Sequence, residues 1–139
     1  MRVAGLFRQL GVSNVRADHV DEALTIAPVV CVQNSYAVDL RRDEDALIRL
    51  CADRGIAYVP FFAIAGESRE GGAAADHSDA VQAIATTHGV TPAQVRLAWT
   101  LHQSPNVLAI PGTGNPAHLE ENIAAGALRL TKEELATLD

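Results

Sequence analysis

The sequence predicts an α/β fold built on a parallel sheet. Three observations lead there: short β-branched apolar runs recur along the chain, helical patterns separate them, and the runs are continuous rather than alternating. Strands that alternate with helices are joined by right-handed crossovers and lie parallel. Continuous apolar runs suit strands covered on both faces.

Taken in order, Gln9–Val12, Val29–Val32, Ala57–Phe62 and Val107–Ile110 read as strands, each brief and bounded by polar residues, Gly or Pro. Between them lie helical spacings. Arg16–Ile26 places Val20, Ala23 and Leu24 on one face, and Asp43–Arg54 does the same with Ala46, Leu47, Leu50 and Cys51 before Gly55, a natural C′ residue. Asp76–His88 carries Val81, Ile84 and Ala85 and stops at Gly89. Thr91–Gln103 opens with Thr91 as N-cap, Pro92 at the first helical position and Gln94 at the third, the pattern of a capping box. Asn115–Ala125 opens with Asn115 and Pro116 in the same roles, and Thr131–Glu134 starts a last helix of this kind. The order is β-α-β-α-β-α-α-β-α. Between Gly66 and Ser78 the glycine- and alanine-rich stretch GESREGGAAADHS reads as a mobile loop after the third strand.

With 139 residues the chain is expected to form a single domain, residues 1–139. A net charge of −6 argues against nucleic acid or an anionic membrane as the main partner, because both attract basic surfaces. No apolar run reaches the roughly 18 residues of a membrane span, and MRVAGLFRQLG lacks a signal-peptide core. The expected location is therefore cytoplasmic, with Cys31 and Cys51 as free thiols. Neither cysteine has the flanking residues of a metal site, so no metal is expected.

Ligands of parallel α/β folds bind beyond the carboxyl ends of the strands. Ser13 and Asn14 follow the first strand, Gln33 and Asn34 end the second, and Phe61 and Phe62 end the third. The stretch IPGTGNPAHLEEN follows the fourth. There, Gly112 and Gly114 allow close backbone approach, Thr113 supplies a hydroxyl, and the helix from Pro116 aims its dipole and free N–H groups at the same spot. His118, Glu121 and Asn122 lie on the turns that follow. Ser13, Asn14 and Gln33 suit an amide, and Phe61 suits a flat ring. Each has a plainer role open to it: Ser13 and Asn14 as a helix-start cap, Gln33 as a core amide, Phe61 as core, and the last group as an ordinary strand-to-helix turn. Together, at successive strand ends, they favour a flat, polar, phosphorylated small molecule.

The segments GLFRQLGVSN, CVQNSY, GIAYVPFFAIAG, TPAQVRLAWTLHQSPNVLAIPGTGNPAHLEEN and LTKEELATLD, in that order and spacing, resemble the aldo/keto reductases. The resemblance covers nearly the whole chain and corresponds to the C-terminal half of that family's (β/α)8 barrel. It implies a parallel half TIM barrel of four βα units and NADPH, or NADH, as cofactor. It further implies that Ser13, Asn14 and Gln33 match the residues that hold the nicotinamide carboxamide and that Phe61 matches the aromatic stacked on the nicotinamide. Thr113, His118, Glu121 and Asn122 match the adenosine-end residues. Gly112 stands where many members carry Lys, and His118 where many carry Arg, which leaves the choice between NADP and NAD open.

The same resemblance places the family's catalytic Asp, Tyr, Lys and His in the other four units, so no catalytic residue is carried over. This chain has one lysine, Lys132, and two tyrosines, Tyr36 and Tyr58, without that array. A half-barrel also has two open edges and an uncovered inner face. Pairing into a homodimer, or with a separate N-terminal half-barrel, would hide them. The expected function is that of a truncated NAD(P)H-dependent carbonyl oxidoreductase keeping the cofactor half. The alternatives are a non-redox nucleotide-binding or interaction module, and a half-barrel recruited to another reaction through Asn34, Tyr36, His77 or His118.

Overall fold

The structure is a computed structural model that describes residues 5–40, 44–64 and 78–139. Its elements follow the predicted order except that the fourth strand does not form: β1 (Gly11–Ser13), α1 (Ala17–Ile26), β2 (Cys31–Gln33), α2 (Glu44–Asp53), β3 (Ala57–Tyr58), α3 (Asp79–His88), α4 (Pro92–His102), α5 (Pro116–Ala125) and α6 (Lys132–Leu138). The sheet runs β1-β2-β3, every pair parallel, with Gly11 opposite Cys31, Ser13 opposite Gln33 and Val32 opposite Tyr58. It is an open parallel sheet flanked by helices, an incomplete β/α barrel. The loop predicted between Gly66 and Ser78 lies outside the described residues except for Ser78, as does His77.

Local chemistry sets the helix ends. The Thr91 hydroxyl accepts from Gln94 N–H while the Gln94 side chain receives Thr91 N–H, and Thr131 and Glu134 repeat the exchange. Each box satisfies donors that an isolated helix leaves bare. Asn115 Oδ1 accepts from Ala117 N–H at 3.0 Å, ahead of Pro116. Gly89 ends α3 at φ +64°. α1 differs from expectation: its N-cap is Arg16, so Ser13 and Asn14 do not start the helix.

The fourth strand is shorter than its sequence suggests. Asn106 C=O accepts from Tyr58 N–H and Leu108 N–H donates to Tyr58 C=O, each at 2.9 Å, which leaves a single bridge between Tyr58 and Val107. The next donor on that side would be residue 60, which is Pro60 and has no N–H. On its other side the third segment keeps pairing with β2, through Val59 N–H to Val32 C=O and Phe61 N–H to Asn34 C=O.

Burial also departs from the reading of strands covered on both faces. Val32 and Tyr58 are fully buried under the helices, while their neighbours in sequence, Cys31, Gln33 and Ala57, are half-exposed. The helices cover one face, and the other is the face that would line a closed barrel. The core is therefore a helix-to-sheet layer: Val20, Leu47, Ile48, Val81, Val95 and Trp99 pack with Val32, Tyr36 and Tyr58. Cys51 lies in it as a free thiol whose pKa burial pushes up to about 11.

On the uncovered face β1 and β2 approach closely. A Cβ at Gly11 would stand 2.5 Å from Cys31 Sγ. Gly11→Ala is expected to cost about 1 kcal/mol, the low end for overpacking because a half-exposed thiol can rotate away. Adding Cys31→Ala should restore the denaturation midpoint, and a midpoint unmoved by the single change would contradict this.

Candidate functional site

The C-terminal ends of β1, β2 and the β3 segment come together as the sequence suggests. Ser13 Oγ donates to Gln33 C=O at 2.8 Å, and Asn14 N–H donates to the same oxygen at 3.1 Å. Asn14 takes φ +54°, a left-handed conformation that Asn tolerates better than most residues. Phe61 stands beside the second strand through its parallel bridge to Ser35, and Tyr36 N–H donates to Phe61 C=O at 3.2 Å. The ring is half-buried, edge-on to Phe62 at 4.9 Å, and Phe62 itself has φ +65°. Two strained positions thus flank this end of the sheet, as is common at binding sites.

The second group, Thr113 to Asn122, sits beyond the opposite end of the sheet order. Thr113 Oγ accepts from Asn115 N–H at 3.1 Å, which folds the turn onto the start of α5. A Cβ at Gly112 or Gly114 would meet nothing within 4 Å, so a ligand could approach this backbone closely. His118 is exposed. Glu121 turns toward α4: its carboxylate is 3.5 Å from Thr91 Oγ, and its carbonyl accepts from Gln94 Nε2 at 3.1 Å. Asn122 lines an apolar groove of about 420 Å³ with Leu101, Leu108, Leu119 and Ile123. Of this group, Thr113 and His118 remain facing solvent near the glycine turn, while Glu121 is occupied by the α4 cap.

Beneath the first group lies a polar network that residue types alone do not announce. Asn34, only 4% exposed, accepts from Val15 N–H at 3.1 Å and donates back to Val15 C=O at 2.7 Å. Its Nδ2 also reaches both oxygens of Glu44, at 3.1 and 3.0 Å. Tyr58 OH donates to Glu44 Oε2 at 2.8 Å, and Tyr36 OH donates to Asp45 Oδ1 at 2.7 Å. Burial, then the hydrogen bond to Glu44, raises the Tyr58 phenol far above its ordinary range, so it serves as a fixed donor. A small cavity of about 200 Å³ opens over Asn14, Val15, Asn34 and Glu44. The sequence signal for this network was slight: an Asn at a strand end and two acids in the first turn of α2.

An open parallel β/α half-barrel with polar groups and a glycine turn at its strand ends belongs to the barrel class whose ligands sit on that face. The chain matches the model of the aldo/keto reductase family over residues 1–139, and it belongs to that family. It is 48% identical over 139 residues to pyridoxine 4-dehydrogenase of Escherichia coli (strain K12), covering 100% of this chain and 46% of that protein. It is similar to a thermostable aldo-keto reductase solved with the inhibitor epalrestat, with a TM-score of 0.84 and 34% identity over 99% of this chain and 49% of that one. An aldo-keto reductase from Klebsiella pneumoniae in complex with NADPH gives a TM-score of 0.82 and 32% identity, again covering 99% and 49%. The chain spans about half the length of the curated relatives it matches.

Among the described residues, no helix is long and apolar enough to cross a membrane, and no group of three or more His, Cys, Asp and Glu is placed to hold a metal ion.

Proposed function

We propose that this chain is the cofactor-holding half of an aldo/keto reductase-like barrel, the C-terminal half, binding NADPH or NADH without itself completing the redox chemistry. One observation carries the reading: the convergence of Ser13, Asn14, Gln33 and Phe61 at the open end of a three-stranded parallel sheet. These groups fit the nicotinamide end. Asn14 and Gln33 offer amides to a carboxamide, and Phe61 offers a ring face. The open backbone at Gly112–Gly114 and the start of α5 fit a phosphate, with Thr113 and His118 nearest to it. The NADPH complex of the 32% identical Klebsiella pneumoniae aldo-keto reductase supports the same cofactor. When bound, the cofactor would supply the hydride; these side chains would bind and orient it. The catalytic Asp, Tyr, Lys and His would come from elsewhere.

The open edges favour an association as part of this reading. Leu108, Ile110, Leu119 and Ile123 are exposed along the 107–110 segment and α5, and Leu6 and Ile26 are exposed by β1 and α1. Either a second copy or a complementary N-terminal half-barrel would cover such edges.

Calorimetric titration with NADPH and NADH, with the mass in solution determined on the same sample, tests both points. Phe61→Ala is expected to weaken binding by about tenfold, the size of a lost ring contact, and Thr113→Val to weaken it less. Unchanged affinity in both variants would remove the site. Turnover of a carbonyl substrate by the pure chain would overturn the claim that it lacks redox machinery. A chain that binds no cofactor would favour an interaction module or a different reaction.

A further inference from the structure

Two of the four groups that the cofactor reading needs at the nicotinamide end, Ser13 and Asn14, stand where β1 runs into a short turn. Ser13 and Asn14 are exposed and Asn14 has a positive φ. The Ser13 hydroxyl and the Asn14 backbone N–H both donate to one carbonyl of β2, that of Gln33. The next residue is held differently. Both backbone groups of Val15 are engaged by a single side chain, the buried amide of Asn34.

From this geometry we infer that Asn34 is a positioning residue: it pins Val15 so that the Ser13–Asn14 turn keeps the conformation that a nicotinamide carboxamide requires. This rests on the dinucleotide reading above and names what sets its geometry. The amide orientation is dictated by its partners. Val15 C=O and the Glu44 carboxylate both require a donor, and Val15 N–H requires an acceptor, so only one arrangement of oxygen and nitrogen satisfies all three. The anchor is itself anchored. Glu44 begins α2 and takes Tyr58 OH from β3, so hydrogen bonds run from β3 through α2 and the end of β2 to Val15, the second residue after β1. Buried amides of this kind are costly to unpair, because each abandoned partner loses its hydrogen bond without regaining water. A side chain that merely filled the core would not need both faces of its amide. Asn34 contacts no substrate in this scheme and acts through Val15.

The test combines exchange with fragment binding. In Asn34→Ala, exchange of the Val15 amide with solvent is expected to quicken by about a hundredfold, while the Val32 and Val59 amides of the sheet keep their protection. Reduced nicotinamide mononucleotide should bind about tenfold more weakly to this variant. Adenosine 2′,5′-bisphosphate, which addresses the other end, should bind as before. Glu44→Gln, which keeps an acceptor for both partners, should give a smaller change of the same kind, and it serves if Asn34→Ala does not fold. Equal weakening of both fragments, or an unchanged Val15 exchange rate, overturns the positioning role. If the unaltered chain binds neither fragment, the dinucleotide reading fails, and exchange at Val15 still decides whether Asn34 holds the turn.

Discussion

Trp99→Ala is expected to lower the stability of the chain by about 3–5 kcal/mol, the cost of emptying a large, fully enclosed aromatic site. Trp99 is completely buried on α4, its ring stacked on Tyr36 with centroids 5.4 Å apart and planes 20° from parallel. Its indole N–H donates to Asp139 Oδ1 at 3.2 Å, tying α4 to the end of α6. The loss matters beyond packing. Tyr36 receives the stack on one side, meets Tyr58 edge-on at 6.0 Å, and donates its backbone N–H to Phe61 C=O. Removing Trp99 frees the residue whose N–H holds Phe61 C=O, so the Phe61 segment should loosen with the core. A domain stable by about 5–15 kcal/mol cannot lose this much without a large shift in its unfolding midpoint. Trp99→Phe should recover most of the packing and forfeit the hydrogen bond, for a net cost of about 1–2 kcal/mol. Circular dichroism is the proper probe, since the substitution deletes the chain's one tryptophan. A midpoint within 1 kcal/mol of the original, on the scale of a surface change, would show that the stack is not what holds this layer.

How far the fold was legible follows from the range of the interactions involved. The capping boxes at Thr91 and Thr131 close within three residues, so sequence spacing contains them whole. Gly55 and Gly89 took the positive φ that their places after helices require. The strand ends depended on partners. The fourth strand shrank to one bridge because Pro60, forty-seven positions before Val107, has no hydrogen to give. Coverage of the sheet was misread from continuous apolar runs, since such runs do not say whether the second face meets helices or the inside of an unfinished barrel. At the strand ends, the meeting of Ser13 with Gln33 was legible because the two residues end neighbouring strands in register. Asn34 was visible as a polar residue there, but its clamp was not, because its partners Val15 and Glu44 are joined to it only by the crossovers. The turn of Glu121 into the α4 cap was hidden for the same reason: a helix-position argument gives the turn it occupies, not the neighbour it meets.

A second large effect, with opposite signs for two partners, is expected at Arg96. This is the one charged side chain buried among the described residues, 1% exposed. One of its terminal nitrogens donates to Asp39 Oδ1 at 2.6 Å, and its Nε has no hydrogen-bond partner among the described residues. Such a group has lost most of its hydration and recovered only part of it. Asp39→Ala removes an acceptor and leaves the cation in place. For a fully buried pair this would cost about 3–5 kcal/mol. The Asp39 side chain, however, is 54% exposed, and a cavity of about 590 Å³ beside it gives water a route to the guanidinium. The expected loss is therefore nearer 1–3 kcal/mol. Arg96→Met should be neutral or stabilising, because it keeps a chain of similar length and removes both the buried charge and the unpaired Nε. Urea midpoints of the two variants decide the matter. If Arg96→Met were as damaging as Asp39→Ala, the guanidinium would have to be contributing more than its desolvation costs, and the ion pair would be a source of stability. If it is harmless, α4 carries a charge for a reason other than folding strength.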